Sequence, residues 1–182
     1  MRTEVGELVE QAPDGQRSAP SGFERFFRAN YPVVEHIARG VVGDSHAAQD
    51  VAQDVFIAAQ RRFPEPDGSA HATAWVRIAA VHTGLNAVRS RRRREQRHLR
   101  AESAIAPPGP DELAIERVSQ QEVRRALARL PRRATTVLVL RYSGLSYSEV
   151  SEAMGVGVGQ IGTMLRRAEA ALRKEIERAP HS

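Results

Sequence analysis

The sequence predicts an all-α protein of two small helical domains joined by a short flexible linker. Three observations carry that prediction. Apolar residues recur at spacings of three and four through most of the chain. The continuous apolar run Val137 to Leu140, which has the length of a strand, finds no second strand candidate to pair with. Residues 101–117 combine Pro107-Pro108-Gly109-Pro110 with four acids, the composition of a linker.

Taken in order, residues 1–21 are rich in Gly, Pro, Ser, Asp and Gln with little periodicity, and read as a mobile tail. A first helix begins at Phe23 and carries Phe26, Phe27, Val34, Ile37, Ala38 and Val41 on one side, with an interruption expected near Pro32. Gly43 and Asp44 read as a helix stop followed by an N-cap. The second helix, Ser45 to Arg62, has Ala48, Val51, Val55 and Ala58 on one stripe. Two prolines and a glycine make Phe63 to Gly68 a loop. A third helix opens near Thr73, carries Trp75, Ile78, Ala79, Leu85 and Val88, and runs into an Arg block. The first domain thus covers 22–100 and the second 118–182, where Val123, Leu127 and Leu130 mark a helix and Pro131 starts another.

The chain of 182 residues has 41% hydrophobic side chains, enough for helical cores, but only 5% aromatic ones. Cysteine is absent, which excludes disulfide scaffolds, thiolate metal sites and a thiol nucleophile, and fits a reducing, cytoplasmic compartment. No apolar run approaches the ~20 residues of a membrane span, and the acidic first residues lack the apolar core of a signal peptide. The net charge of +5 is unevenly spread: residues 89–100 and 117–182 are basic, while 1–60 and 101–116 are acidic. All but one of the 27 basic residues are Arg, Lys174 being the exception. Codon usage in a GC-rich genome accounts for Arg over Lys but not for the clustering. Arg binds phosphate through two donors and stacks on bases, so two basic blocks point to nucleic acid.

Leu145-Ser146-Tyr147-Ser148-Glu149-Val150 has the Ser-x-x-Glu spacing of a capping box, with Leu145 and Val150 at the positions of a hydrophobic staple. The short helix ends at Met154-Gly155, and a second begins around Val158 to Gln160 with Ile161, Leu165, Ala168 and Leu172 on its apolar face. Two short helices joined by a tight glycine turn make a helix-turn-helix, whose second helix enters the major groove of DNA. Its outward residues are Gln160, Thr163, Arg166 and Arg167, types that read base edges or hold phosphates. The bland reading is a plain helical hairpin with solvated charges. On the second helix, Asp50, Gln53 and Asp54 share one side while Val51 and Val55 face the core. That acidic and amide patch suits docking onto a basic protein surface, although spacing alone is equally compatible with a solvated face.

These motifs together resemble an extracytoplasmic-function (ECF) sigma factor of the sigma-seventy family. Asp50-Val-Ala-Gln53-Asp54-Val-Phe56 is similar to the family's Asp-x-x-Gln-Glu-x-Phe, and Trp75-Val-Arg-Ile-Ala-Ala resembles its Trp-Leu-x-Arg-Ile-Ala. Leu130-Pro131-Arg132, Leu138 to Tyr142 and Gly144 to Val150 resemble its second region. The short linker, with no room for an intermediate domain, fits the ECF class. The resemblance implies that Asp50, Gln53, Asp54 and Phe56 grip the β′ clamp helices of core RNA polymerase, with the second domain near the β flap. It implies that Trp75, His82, Asn86, Arg89, Arg91, Arg92 and Arg93 meet the promoter −10 element, melted and single-stranded, the loop 63–72 helping to hold an extruded base. Gln160, Thr163, Arg166 and Arg167 would bind the duplex −35 element, and an anti-sigma factor is a further expected partner.

The departures are informative. His82 and Asn86 fall where the family often has Asn and Asp, and Gly162 and Met164 replace two basic side chains of the recognition helix. Gly157 takes the place of a frequent Ser cap. An unusual −35 preference, or a weaker contact offset at −10, is the expected consequence. The six histidines show no metal-ligand spacing, and no nucleophile motif, phosphate loop or paired-carboxylate context appears. A non-catalytic chain without cofactor or metal is therefore expected. Two other readings stand beside the sigma factor: a free-standing helix-turn-helix regulator, and an interaction protein that titrates an anti-sigma factor.

Overall fold

The computed structural model describes residues 21–66, 70–99 and 112–178; residues 1–20 of the tail expected over 1–21, and residues 101–111 of the linker expected over 101–117, lie outside them. The described residues form seven helices: α1 (Gly22–Val42), α2 (Ser45–Arg62), α3 (Ala70–Leu99), α4 (Glu112–Arg129), α5 (Arg132–Tyr142), α6 (Tyr147–Met154) and α7 (Val158–Glu177). They make two bundles, α1–α3 and α4–α7, as the periodicity predicts. No helix among the described residues is long and apolar enough to cross a membrane.

Local chemistry sets most boundaries. Ser21 caps α1 by accepting a hydrogen bond from the Glu24 amide at 3.1 Å. The break expected at Pro32 does not occur, and α1 runs through it. The missing amide hydrogen frees only the carbonyl of Arg28, and both Arg28 and Pro32 are exposed, so that carbonyl lies on the solvent side of the helix. Gly43 closes α1 with φ +75°, a left-handed turn that suits glycine, and Asp44 at once caps α2 by accepting from the Ala47 amide at 2.8 Å. The third helix starts at Ala70, three residues earlier than expected, and α4 starts at Glu112, inside the segment assigned to the linker.

In the first bundle, Val34, Ile37, Ala38 and Val41 pack on Ala48, Val51 and Val55 and on Val76, Ala80, Val81 and Leu85. In the second, the strand-like run proves to be a helix buried on all sides, Thr135 through Leu140, surrounded by Leu145, Val150, Ile161, Leu165 and Ala168. The two cores are not separate. One continuous cluster of buried residues joins them, because α3 packs against α4, α5 and α6 as well as against α1 and α2. Gly84 permits the close crossing of α3 over α1: a Cβ there would stand 3.0 Å from Val41 Cγ1 and 3.1 Å from its Cβ. Gly84→Val should therefore lower unfolding stability by about 1–3 kcal/mol in urea titration, through overpacking of a contact that has no room to give.

Candidate nucleic-acid interface and acidic docking face

Asp50, Gln53 and Asp54 are all exposed on α2, as the spacing predicts. The face does not end in one continuous patch. Gln53 borders a shallow groove against α1 lined by Phe27, Tyr31 and the exposed Ile57, whereas Asp50 and Asp54 border clefts toward α3. Phe56 departs from its expected contact role. It is only 4% exposed and lies among Phe26, Phe27 and Tyr31, with its ring centroid 4.7 Å from that of Phe27. Two positions beyond Asp54 on a helix, the side chain must point inward, so Phe56 anchors α2 beneath the acidic face.

Trp75, Ala79, His82, Asn86 and Arg89 follow one another along α3 at steps of four and three, a single stripe. Trp75, His82 and Asn86 line one cleft of about 650 Å³ together with Asp54, Glu152 and Met154. Trp75 is half-buried. Its ring packs edge-on against Phe63 at 5.7 Å, and the Arg62 guanidinium lies 5.9 Å from it. Arg91 pairs with Glu95 at 3.5 Å and Arg93 donates to Ser90 Oγ at 2.9 Å, while Arg92 is partly covered. Arg91, Arg93 and Arg94 stand on an exposed final stretch of α3, a cationic surface. Of the loop expected to help hold a base, residues 67–69 lie outside the described residues and 70–72 are already helical.

The second bundle engages α3 at four points, three of them on the stripe. Arg77 Nη1 donates to Glu149 Oε1 of α6 at 3.3 Å. His82 Nε2 lies 3.3 Å from Thr136 Oγ1 of α5, and Arg132 of α5 donates to Asn86 Oδ1 at 3.4 Å. Arg89 Nε donates to the carbonyl of Ala128 at 3.0 Å, satisfying one of the unpaired carbonyls at the end of α4. Burial together with the guanidinium groups of Arg132 and Arg89 lowers the pKa of His82 below the ordinary imidazole value. Arg77, Thr136, Arg132 and Ala128 were not legible as partners, since each contact joins residues 39 to 72 positions apart.

The helix-turn-helix matches its sequence signature. Ser146 accepts from the Glu149 amide at 3.2 Å while Glu149 accepts from the Ser146 amide at 2.9 Å, the reciprocal capping box. Those Ser146 hydrogen bonds, with Arg77 nearby, hold the Glu149 carboxyl below the usual carboxylate range. The helix α6 stops at Gly155, φ +63°, and Gly157 precedes α7 as an N-cap that offers no side-chain hydrogen bond. Ile161, Leu165 and Ala168 are buried, and Gln160, Thr163, Arg166 and Arg167 are all exposed. Arg166 donates to Thr163 Oγ1 at 3.2 Å, so these two outward side chains are already paired.

Comparison with known proteins agrees in both halves. Residues 26–94 match the family model described as sigma-70 region 2, and residues 120–172 match sigma-70, region 4. The chain is similar to the ECF RNA polymerase sigma factor SigW of Bacillus subtilis (strain 168), 29% identical over 149 residues covering 75% of this chain and 79% of that protein. It is also similar to the RNA polymerase sigma-H factor of Pseudomonas aeruginosa, 29% identical over 147 residues, covering 75% of this chain and 76% of that one. Among solved structures, CnrH in complex with the cytosolic domain of CnrY resembles the fold with a TM-score of 0.52 at 19% identity, covering 85% of this chain and 87% of that one.

Gly162 sits within α7 in open surroundings: a Cβ there meets nothing nearer than 3.9 Å, an ordinary contact with Tyr147 and Arg166. Gly162→Ala should raise stability by about 1 kcal/mol, measured as a higher urea midpoint at unchanged slope.

Proposed function

The chain belongs to the sigma-70 family, with regions 2 and 4 in the two-region ECF arrangement, and on that premise we propose how its residues divide the work. As a sigma factor it directs promoter-specific transcription initiation. In our reading Asp50 and Asp54 dock on basic residues of the β′ clamp helices of core RNA polymerase, with Gln53 and the apolar groove at Ile57 alongside. Phe56 holds that face in position from within. Region 4 reaches the β flap and sets α7 in the major groove of the −35 element, Gln160 at base edges and Arg166, Arg167 and Thr163 on phosphates. The α3 stripe and its terminal arginines meet the −10 element, where Trp75 supplies a flat apolar surface and Arg91, Arg92 and Arg93 the backbone electrostatics that unpaired strands require. The polymerisation chemistry belongs to the partner enzyme, and the site of action is the cytoplasm. We read the Arg bias as codon usage of a GC-rich genome.

The observation that carries this reading is the placement of exposed carboxylates and exposed arginines on separate helices of one chain whose two halves both match the family. CnrH binds the cytosolic domain of CnrY, and a comparable anti-sigma partner is proposed for this chain.

Two measurements test the reading. The full chain should co-elute with purified bacterial core polymerase at moderate salt, and the charge reversals Asp50→Arg and Asp54→Arg together should abolish co-elution while leaving helix content unchanged. Retained co-elution by the double variant would remove the acidic face from the account. For region 4, Arg167→Ala should weaken binding to −35 duplex and reduce the slope of log K against log salt by about one, the mark of one lost phosphate contact. An unchanged slope assigns that phosphate to another residue.

A further inference from the structure

A cleft of about 820 Å³ opens where the end of α3 runs beside α4 and the turn between α1 and α2. Five arginines line it, Arg91, Arg92 and Arg94 from α3 and Arg124 and Arg125 from α4, against the three carboxylates of Asp44, Asp50 and Glu95. We propose that this cleft is a binding site for a small molecule carrying a chain of phosphates, held between the guanidinium groups of α3 and α4.

The positive charge is not balanced within the protein. Asp44 is engaged by the Ala47 amide as the cap of α2, and Glu95 pairs with Arg91. Arg92, Arg94, Arg124 and Arg125 make no side-chain hydrogen bond and no ion pair with another described residue. The guanidinium of Arg124 is held in place, since it lies against the left-handed turn at Gly43, where a Cβ would collide with it. Burial, and then the like charge of Arg91, lowers the pKa of Arg124 below the ordinary arginine value. Two helices thus turn like charges toward one concavity, and an anion between them converts that repulsion into attraction.

The number and type of donors select the ligand. A guanidinium offers two parallel N–H donors to a phosphate. A chain of phosphates gives each such fork its own pair of oxygens, which one phosphate does not. The volume falls within the about 300–1,000 Å³ of small-molecule sites. Half-buried Ala47 and Val88, with the amides of Gln120 and Gln121, leave apolar and polar surface for a further group such as a nucleoside. A nucleic-acid strand spreads its charges along an extended backbone and runs past a concave site instead of filling it, so a compact anion fits better.

Titration calorimetry of the full chain with sodium tripolyphosphate tests the site, with GTP and orthophosphate as further arms. The expected result is one tripolyphosphate per chain, a higher melting temperature on binding and much weaker binding of orthophosphate. Tighter binding of GTP than of tripolyphosphate assigns the site to nucleotides, and equal or weaker binding assigns it to inorganic polyphosphate. Arg125→Gln, at an exposed position, should weaken tripolyphosphate binding about tenfold with helix content unchanged, and Arg124→Gln at least as much. Arg173→Gln, at an exposed arginine of α7 that does not line the cleft, should leave the affinity unaltered. Absence of binding, several ions bound per chain, equal losses in all three variants, or displacement of tripolyphosphate by a single-stranded oligonucleotide at equal phosphate concentration would overturn the site. The measurement needs no polymerase, so its outcome is separate from that of the sigma reading.

Discussion

The structure depends on one helix that serves two cores. One side of α3 contributes Val76, Ala80, Val81 and Leu85 to the first bundle, and the stripe from Trp75 to Arg89 faces the second. A helix buried on one side only leaves the other side free for a ligand. Here that other side carries the stripe proposed to meet unpaired DNA, and a protein surface already lies on it. The sharing of α3 between the two bundles is the constraint from which the rest follows.

Charge distribution fits that sharing. The seam is held by polar contacts at its margins, Arg77 to Glu149 at one end and Arg89 to a helix-terminal carbonyl at the other. The Arg77 to Glu149 pair is partly exposed and is worth little by itself. Such contacts define register more than they add stability; the buried apolar cluster that continues from one bundle into the other supplies most of the cohesion across the seam. Arg91, Arg92 and Arg94 border a cleft with Arg124 and Arg125 of α4, and Arg91, Arg93 and Arg94 stay exposed, so a cationic surface remains beside the seam. A polyanion therefore has a place to arrive, and electrostatic attraction acts at a distance where hydrogen bonds do not.

Much of this was legible in the residues. The helix-turn-helix was, because Ser146, Glu149 and Gly155 are local signals whose partners lie within a few positions. The exposure of Asp50, Gln53 and Asp54 was too, since helical spacing decides which side chains turn away from the core. Two local rules misled. Pro32 breaks a helix only where the freed carbonyl has no solvent, and on this exposed side it has. Phe56 belongs to a family motif, and a motif does not say which of its members point inward; the period of the helix does. The seam was not legible at all. His82 and Asn86 stood out as departures, but Thr136 and Arg132, which give those departures a meaning, come from another bundle across a linker.

The central claim is that this chain turns core polymerase into an enzyme that selects promoters. Run-off transcription with purified core polymerase, the full-length chain and a library of genomic promoter fragments tests it most directly. The account predicts transcripts that need the chain and start downstream of a shared pair of sequence elements. Products that arise equally without the chain, or from fragments with no common element, would contradict it.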